Sequence, residues 1–409
     1  MTAAETIVVV GASLAGAKAV ETLRQDGFAG RIVLIGEEPD RPYERPPLSK
    51  GYLRGEDEAA KVFVHDAGYY EARDIELCPS TLVTGIDPRA SEVVLESGRA
   101  LAFDKLLLTT GAAPRRLTVP GADLPGVYYL RDRPDADRLG AAIRKANRVV
   151  VVGAGWIGSE VAASARQMGA DVAMIDPGEV PLARVMGPEV GAVFRRLHAA
   201  HGVELHLGAG VEAVVGTDSV TGVRTTDGRT VEGDLVVVGI GAVPRVELAE
   251  AAGLRTGDGI EVNELLETSR PGIFAAGDVA AAWHPLLGER IRVEHWANAV
   301  NQGPAAAKNM LGAGTPYDRI PYFFSDQYDF GMEYSGYTRT WDRVVFRGNP
   351  DEGKFIAFWI AGERVVAGMN ANVWDVTGPI QALIRSGRPV AAERLADPAV
   401  PLEELAAAA

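Results

Sequence analysis

Runs of four or five apolar residues recur along the chain, each closed by glycine and followed by a stretch with helical spacing. Ile7-Val8-Val9-Val10 leads into Gly11-Ala12-Ser13-Leu14-Ala15-Gly16, then a helical stretch from Ala17 to Gln25, then Arg31-Ile32-Val33-Leu34-Ile35-Gly36-Glu37. A strand without polar alternation suits a parallel sheet covered on both faces, so this pattern predicts a βαβ unit. It recurs downstream: a strand from Val149 to Val152, the turn Gly153-Ala154-Gly155-Trp156-Ile157-Gly158, a helix to about Met168 and a strand Val172-Ala173-Met174-Ile175-Asp176. The distance between the two copies is that of a domain, not of a solenoid repeat.

From Leu77 to Leu108 short β-like runs alternate with turns, which predicts a meander or small inserted sheet. Strands are expected again at 203–207, 211–215 and 235–238, with Thr226-Asp227-Gly228 as a hairpin turn. The texture changes at Ile320. Tyr322, Phe323, Phe324, Tyr328, Phe330, Tyr334 and Tyr337 cluster, and the runs at 344–346 and 355–360 suggest an antiparallel sheet, followed by a helix from about Val376 to Arg385. The expected fold class is α/β: two Rossmann-type dinucleotide-binding domains plus a C-terminal α+β domain.

Composition narrows the function. With 409 residues, 47% hydrophobic and 23% charged, the chain has the make-up of a globular protein of two or three domains. A net charge of −14 argues against a dedicated nucleic-acid binder. No apolar run reaches the roughly 18 residues needed to span a bilayer, so no membrane association is expected. Thr2-Ala3-Ala4-Glu5-Thr6 passes straight into the first strand, with no basic and apolar leader, so no signal peptide and a cytoplasmic location are expected. The single cysteine, Cys78, rules out an intramolecular disulfide or a multi-cysteine metal site; it sits in a strand-like run and is expected to be a small buried hydrophobe.

Each glycine turn lies between a strand and a helix, the context in which helix N–H groups and dipole bind a pyrophosphate. Two turns therefore suggest two dinucleotides. The first departs from the G-x-G-x-x-G pattern by carrying Ser13 at its middle position. Each unit also ends its second strand with an acid, Glu37 or Asp176, suited to accept ribose hydroxyls. Asp176 is followed by Pro177-Gly178-Glu179 with no immediate arginine, so its carboxylate would repel a 2′-phosphate, favouring NADH over NADPH.

A series of ordered motifs, spread over essentially the whole chain, then carries a resemblance. They are the first fingerprint; Arg41-Pro42-Tyr43-Glu44-Arg45-Pro46-Pro47-Leu48-Ser49-Lys50; Thr109-Thr110-Gly111-Ala112-Ala113-Pro114-Arg115; the second fingerprint with Glu160; Gly239-Ile240-Gly241-Ala242-Val243-Pro244; the segment from Thr268 to Ala275-Ala276-Gly277-Asp278; and Glu294-His295-Trp296 with Tyr322-Phe323-Phe324-Ser325-Asp326-Gln327. The chain resembles the flavin-dependent ferredoxin reductases of bacterial oxygenase systems, a branch related to glutathione reductase that includes putidaredoxin reductase-like and rubredoxin reductase-like enzymes and apoptosis-inducing-factor-like proteins.

The resemblance implies a discontinuous FAD-binding domain over 1–113 and 241–319, an NAD-binding domain over 114–240 and a C-terminal α+β domain over 320–409. It implies FAD contacts from Gly11, Ser13, Ala15, Gly16, Glu37 and Arg45, and cofactor contacts from Thr110, Gly111, Arg131 and Gly241. Asp278, after Gly277, would accept from a ribityl hydroxyl, with the helix that follows pointing its N-terminus at the phosphates. Lys50 would lie beside the isoalloxazine, held by Glu160, with Trp296 near the flavin and nicotinamide rings. NADH would be held by Gly153, Gly155, Trp156, Ile157, Gly158, Asp176 and Arg184. Phe324 stands where many relatives have tryptophan.

Disulfide reductases of this fold need a cysteine pair and its NADH oxidases and peroxidases need a cysteine near the position of Lys50. This chain has neither. The expected activity is hydride transfer from NADH to FAD, then single-electron transfer to a small iron–sulfur ferredoxin, rubredoxin-like or otherwise, feeding an oxygenase. Such a ferredoxin is expected to dock near Arg41 to Arg54 and Arg339 to Lys354, and the reductase to be a monomer or homodimer. Two alternatives stay open on sequence alone: an NADH:quinone or oxygen reductase, and an apoptosis-inducing-factor-like interaction protein with a slow flavin.

Overall fold

The computed structural model describes residues 5–408, so the leader reading drawn from Thr2, Ala3 and Ala4 lies outside the described residues. The chain divides into two compact units. The first takes the chain up to Glu44, Ala60–Ala113 and Val243–Pro321; the second takes Arg45–Ala59, Pro114–Ala242 and the chain from Tyr322 onward.

In the first unit, Thr6–Val10 lies at the centre of a five-stranded parallel sheet ordered Ile273–Ala275, Lys105–Leu108, Thr6–Val10, Arg31–Ile35, Ile75–Cys78. Ile7, Val8 and Val9 are fully buried, as an all-apolar central strand requires. The helix Leu14–Gln25 starts three residues before the apolar spacing suggests, because the glycine turn itself supplies its first residues. Gly303, on the helix Trp296–Met310, lets that helix cross it closely: a Cβ there would lie 2.3 Å from Ala15 O. The expected meander is a three-stranded antiparallel sheet, Val83–Asp87, Glu92–Leu95 and Ala100–Ala102. Cys78 is half-buried rather than buried, because its strand is the outermost of the parallel sheet.

In the second unit, Arg148–Val152 is the central strand of a parallel sheet ordered Glu204–Leu207, Asp171–Asp176, Arg148–Val152, Leu235–Val238, Val127–Tyr129. The turn at Thr226-Asp227-Gly228 joins Val220–Thr225 to Thr230–Glu232. The aromatic C-terminal segment forms a five-stranded antiparallel sheet, Tyr322–Gln327, Phe330–Gly336, Arg364–Ala371, Lys354–Ala361, Arg343–Asn349, backed by the helix Thr377–Ser386. Where the sequence suggests a third domain, this sheet shares a core with the helix Ala183–Ala200. Met186, Val190 and Phe194 pack with Phe330, Phe355 and Trp359, and Trp359 Nε1 donates to Met186 O at 3.2 Å. No helix among the described residues is long and apolar enough to cross a membrane.

Candidate functional site

The first glycine turn is shaped by backbone crowding. Gly11 has φ +118°, and a Cβ there would lie 2.1 Å from Thr109 O; a Cβ on Gly16 would lie 2.3 Å from Gly11 O. Thr109 Oγ1 donates to Gly11 O at 2.8 Å, tying the turn to the neighbouring strand. Ser13 is the N-cap of Leu14–Gln25 in extended conformation, and its side chain makes no capping hydrogen bond. The helix's first N–H groups are thus left to an external acceptor, the arrangement that suits a phosphate.

Gly277 comes to the same turn, 3.2 Å from Ala15 Cβ for an added Cβ, and its N–H donates to Gln302 Oε1 at 2.9 Å. No helix follows Asp278 directly. Gly277–Val279 is a single 3-10 turn that passes into the strand Ala280–His284, because the small apolar run there is buried in parallel pairing with Gly259–Val262. The next helix of this unit starts at Trp296, which packs against the buried cluster of Leu14, Ala15 and Ala299, as do Val64 and Val300. Glu37 follows its strand as expected and is exposed, but it is paired with Arg245. Arg245 escaped the sequence reading although it follows the Gly239–Pro244 motif directly. Its backbone also ties in Thr110 and Gly111: Thr110 Oγ1 donates to Arg245 O at 2.8 Å and Arg245 N–H to Gly111 O at 3.0 Å.

The second unit carries the second turn. A Cβ on Gly158 would lie 1.9 Å from Gly153 O, and one on Gly153 2.3 Å from Gly239 O, whereas the nearest atom to a Cβ on Gly155 is 3.9 Å away. The middle glycine therefore faces open space at the N-cap of Trp156–Gln167, again with no side-chain cap. Both turns fit a dinucleotide pyrophosphate on these grounds: crowded backbone behind, and a helix N-terminus without a side-chain cap in front, with Gly155 at the middle position of the second turn and the small Ser13 at that of the first.

Asp176 does more than end a strand. Its Oδ2 accepts from Ala154 N–H and its Oδ1 from Gly178 N–H, both at 2.7 Å, so it braces the turn while each oxygen keeps acceptor capacity. Leu182 N–H donates to Ala154 O at 2.9 Å, which brings the exposed Arg184 to the segment beside the turn. Ile157 is exposed; Trp156 sets its edge against Phe194 and Phe323. Gly241 O accepts from Arg115 N–H at 2.8 Å.

The second unit also brings Lys50 and Glu160 together. Arg45 Nη1 donates to Arg131 O at 2.6 Å at the start of the Pro46–Ser49 turn, whose prolines stiffen the approach to Lys50. Lys50 Nζ is 2.8 Å from Glu160 Oε2, with side-chain exposures of 14% and 5%, and lies 5.7 Å from the centre of the Phe324 ring. A carboxylate buried this deeply needs donors beyond one ammonium. Ser49 Oγ supplies one to Oε2 at 2.5 Å and Ser325 Oγ another to Oε1 at 2.7 Å. Neither serine was singled out in the sequence. The available signal is alternation along Tyr322–Gln327, where Ser325 and Gln327 occupy the buried face that Phe323 opens.

Two glycine turns on two parallel sheets, one in each unit, with a buried lysine–carboxylate pair in the second, define an oxidoreductase that handles two dinucleotides. Residues 5–303 match the family model described as pyridine nucleotide-disulphide oxidoreductase and residues 322–406 the one described as Reductase C-terminal. The chain belongs to this family, in its branch of FAD- and NAD-dependent ferredoxin reductases. It is 38% identical to rhodocoxin reductase of Rhodococcus erythropolis over 96% of this chain and 92% of that one. It is 39% identical to the ferredoxin–NAD(+) reductase component of the anthranilate 1,2-dioxygenase system of Burkholderia cepacia, over 98% and 99%. Among solved structures, the reductase of a covalent putidaredoxin reductase–putidaredoxin complex superposes with a TM-score of 0.95 at 36% identity, over 100% of this chain and 99% of that one.

Proposed function

We propose that the chain is the NADH:ferredoxin reductase of an oxygenase system, working in the cytoplasm. The observation that carries this reading is the pair of uncapped glycine turns in a chain with one cysteine. Electrons that pass from one dinucleotide to the other have no protein disulfide to enter and leave for an external acceptor. When bound, FAD supplies the chemistry: it takes a hydride from NADH and releases electrons singly to an iron–sulfur protein.

The residues of the chain bind and tune. Gly11 to Gly16, Thr110, Gly111, Gly277 and Asp278 are assigned to the FAD phosphates and ribityl chain, Glu37 to the ribose, and Arg45 to the pyrophosphate. Lys50 is assigned to the isoalloxazine, where its ammonium stabilises negative charge and Glu160 holds it in place. Trp296 is assigned to ring packing. Gly153 to Gly158, Asp176 and Arg184 are assigned to NADH.

Asp176 sets the nicotinamide preference. Hydrogen bonds from ribose hydroxyls to a carboxylate are worth about 1.5–3 kcal/mol, and a 2′-phosphate meets like charge. Wild-type protein is expected to prefer NADH over NADPH, and Asp176→Ala to lower that kcat/KM ratio about tenfold or more. Because Asp176 also braces Ala154 and Gly178, both coenzymes should bind more weakly in the variant. An unchanged ratio contradicts the assignment.

The activity is tested by anaerobic stopped-flow reduction with NADH, followed by a panel of iron–sulfur acceptors, quinones and oxygen. Fast electron transfer to a ferredoxin is expected. Fast turnover with quinone or oxygen alone would overturn it, as would slow turnover accompanied by NADH-dependent dimerisation. The docking face needs positive charge to meet an acidic ferredoxin when the reductase itself carries −14. Several of the cations expected there are committed internally: Arg41 stacks on Phe63, Arg54 pairs with Glu56, and Arg347 donates to the carbonyls of Leu395, Asp397, Pro398 and Val400. Arg343 and Lys354 are exposed. If charge steers docking, the association rate falls about tenfold or more between low and high salt. A salt-independent rate would move the docking face to apolar residues, Phe324 among them.

A further inference from the structure

The Glu160 carboxylate is the end of a longer buried chain of hydrogen bonds. Ser325 Oγ, which donates to Glu160 Oε1, receives Gln327 Nε2–H at 3.2 Å. Gln327 Oε1 lies 3.0 Å from His198 Nε2, and His198 Nδ1 lies 3.4 Å from the Tyr328 hydroxyl. Every member belongs to the second unit. Ser325 and Gln327 share the buried face of Tyr322–Gln327, and His198 reaches them from the helix Ala183–Ala200. Tyr328, with φ +58° in the turn after that strand, stacks on His201 at 3.6 Å between ring centres and is half-buried, so the chain ends near the surface.

Donor chemistry gives the chain a single direction. An amide oxygen only accepts, so His198 must carry its proton on Nε2 and present Nδ1 as the acceptor for Tyr328 O–H. Burial pushes the His198 imidazole down to about 4, so it is neutral and needs no counter-ion. Burial likewise pushes the Tyr328 phenol up, keeping its donor proton. Each bond thus donates toward Glu160, from Tyr328 through His198, Gln327 and Ser325, and bonds aligned head to tail polarise one another.

We propose that Tyr328, His198, Gln327 and Ser325 are positioning residues that orient the Glu160 carboxylate and draw its charge away from Lys50, so that they set the positive field Lys50 presents to the flavin. This rests on the assignment of Lys50 to the isoalloxazine. A hydrogen bond that takes up negative charge at Glu160 Oε1 leaves less of it at Oε2 to cancel the ammonium 2.8 Å away. Loss of that bond therefore lowers the field at the ring and makes the flavin harder to reduce.

The test uses the FAD-loaded protein and reads the flavin midpoint potential by dye-equilibrated titration, with NADH reduction kinetics beside it. The double variant Lys50→Gln/Glu160→Gln, which removes both charges together, is expected to shift the potential negative. Ser325→Ala and His198→Leu are expected to shift it the same way by a smaller amount, and to slow flavin reduction at saturating NADH about 3- to 10-fold with the NADH dissociation constant unchanged. His198→Gln, whose amide N–H takes the place of Nε2–H, is expected to restore the wild-type potential. Should the double variant shift the potential while folded Ser325→Ala and His198→Leu keep the wild-type value, the relay is overturned and the assignment of Lys50 stands. A wild-type potential in the double variant overturns the assignment and the relay together. Ser325→Ala removes one hydroxyl and keeps the experiment decisive if His198→Leu fails to fold.

Discussion

Gly11→Ala protein is expected to emerge colourless, without FAD, whereas Gly158→Ala is expected to stay yellow and to lose reduction by NADH. The two substitutions add the same methyl group to the two halves of one repeated design. At Gly11 the methyl would lie 2.1 Å from Thr109 O, at a φ of +118° that L residues avoid. At Gly158 it would lie 1.9 Å from Gly153 O, inside the second turn. In neither place is the obstructing atom the end of a flexible side chain, so the backbone has to move. Strain and overpacking of this kind cost about 2–6 kcal/mol, enough to lower affinity by a factor of roughly 30 or more. Absorbance at purification, then stopped-flow reduction by NADH and by dithionite, separates the two effects. Gly158→Ala should be reduced by dithionite at the normal rate. A yellow, fully loaded Gly11→Ala protein would remove this turn from the FAD site.

The second large effect concerns stability. Lys50→Met should lower the unfolding free energy by about 3–5 kcal/mol, the usual result of stripping one partner from a buried ion pair. The Glu160 side chain is 5% exposed, and without Lys50 its charge is met, among the described residues, by the hydroxyls of Ser49 and Ser325. The double variant Lys50→Gln/Glu160→Gln should cost far less, about 1 kcal/mol, because no buried charge is left unpaired and amide groups can use the same hydrogen bonds. Urea unfolding of the FAD-loaded proteins measures the difference. If Lys50→Met costs less than the double variant, water screens the pair and Glu160 is not the buried acceptor that the geometry describes.

Much of the site is legible in the chain, for physical reasons that are local. A run such as Ile7–Val10 has to be a covered strand, and a glycine turn between it and a helix has to be tight; both demands are met within about thirty residues. Glu37 and Asp176 follow because they end the second strand of each unit. Neither resemblance nor local pattern is a sure guide. The helix that the resemblance implies after Gly277-Asp278 does not follow directly, since pairing with Gly259–Val262 draws the next residues into a sheet. Cys78 reads as buried, yet the edge of the sheet leaves it half-exposed.

The sequence by itself determined the two βαβ units, the places of their glycines and acids, and the absence of a protein disulfide. Backbone sterics and apolar periodicity act over a few residues and are written in order along the chain. Only the tertiary structure decided what surrounds Glu160 and how the C-terminal sheet finds its core. Ser49 and Ser325 reach that carboxylate from 111 and 165 residues away, and His198 meets Gln327 across 129. Trp359 donates to Met186 across 173. No periodicity encodes such meetings, since they arise when packing brings distant strands and helices together and every buried polar group must still find a partner.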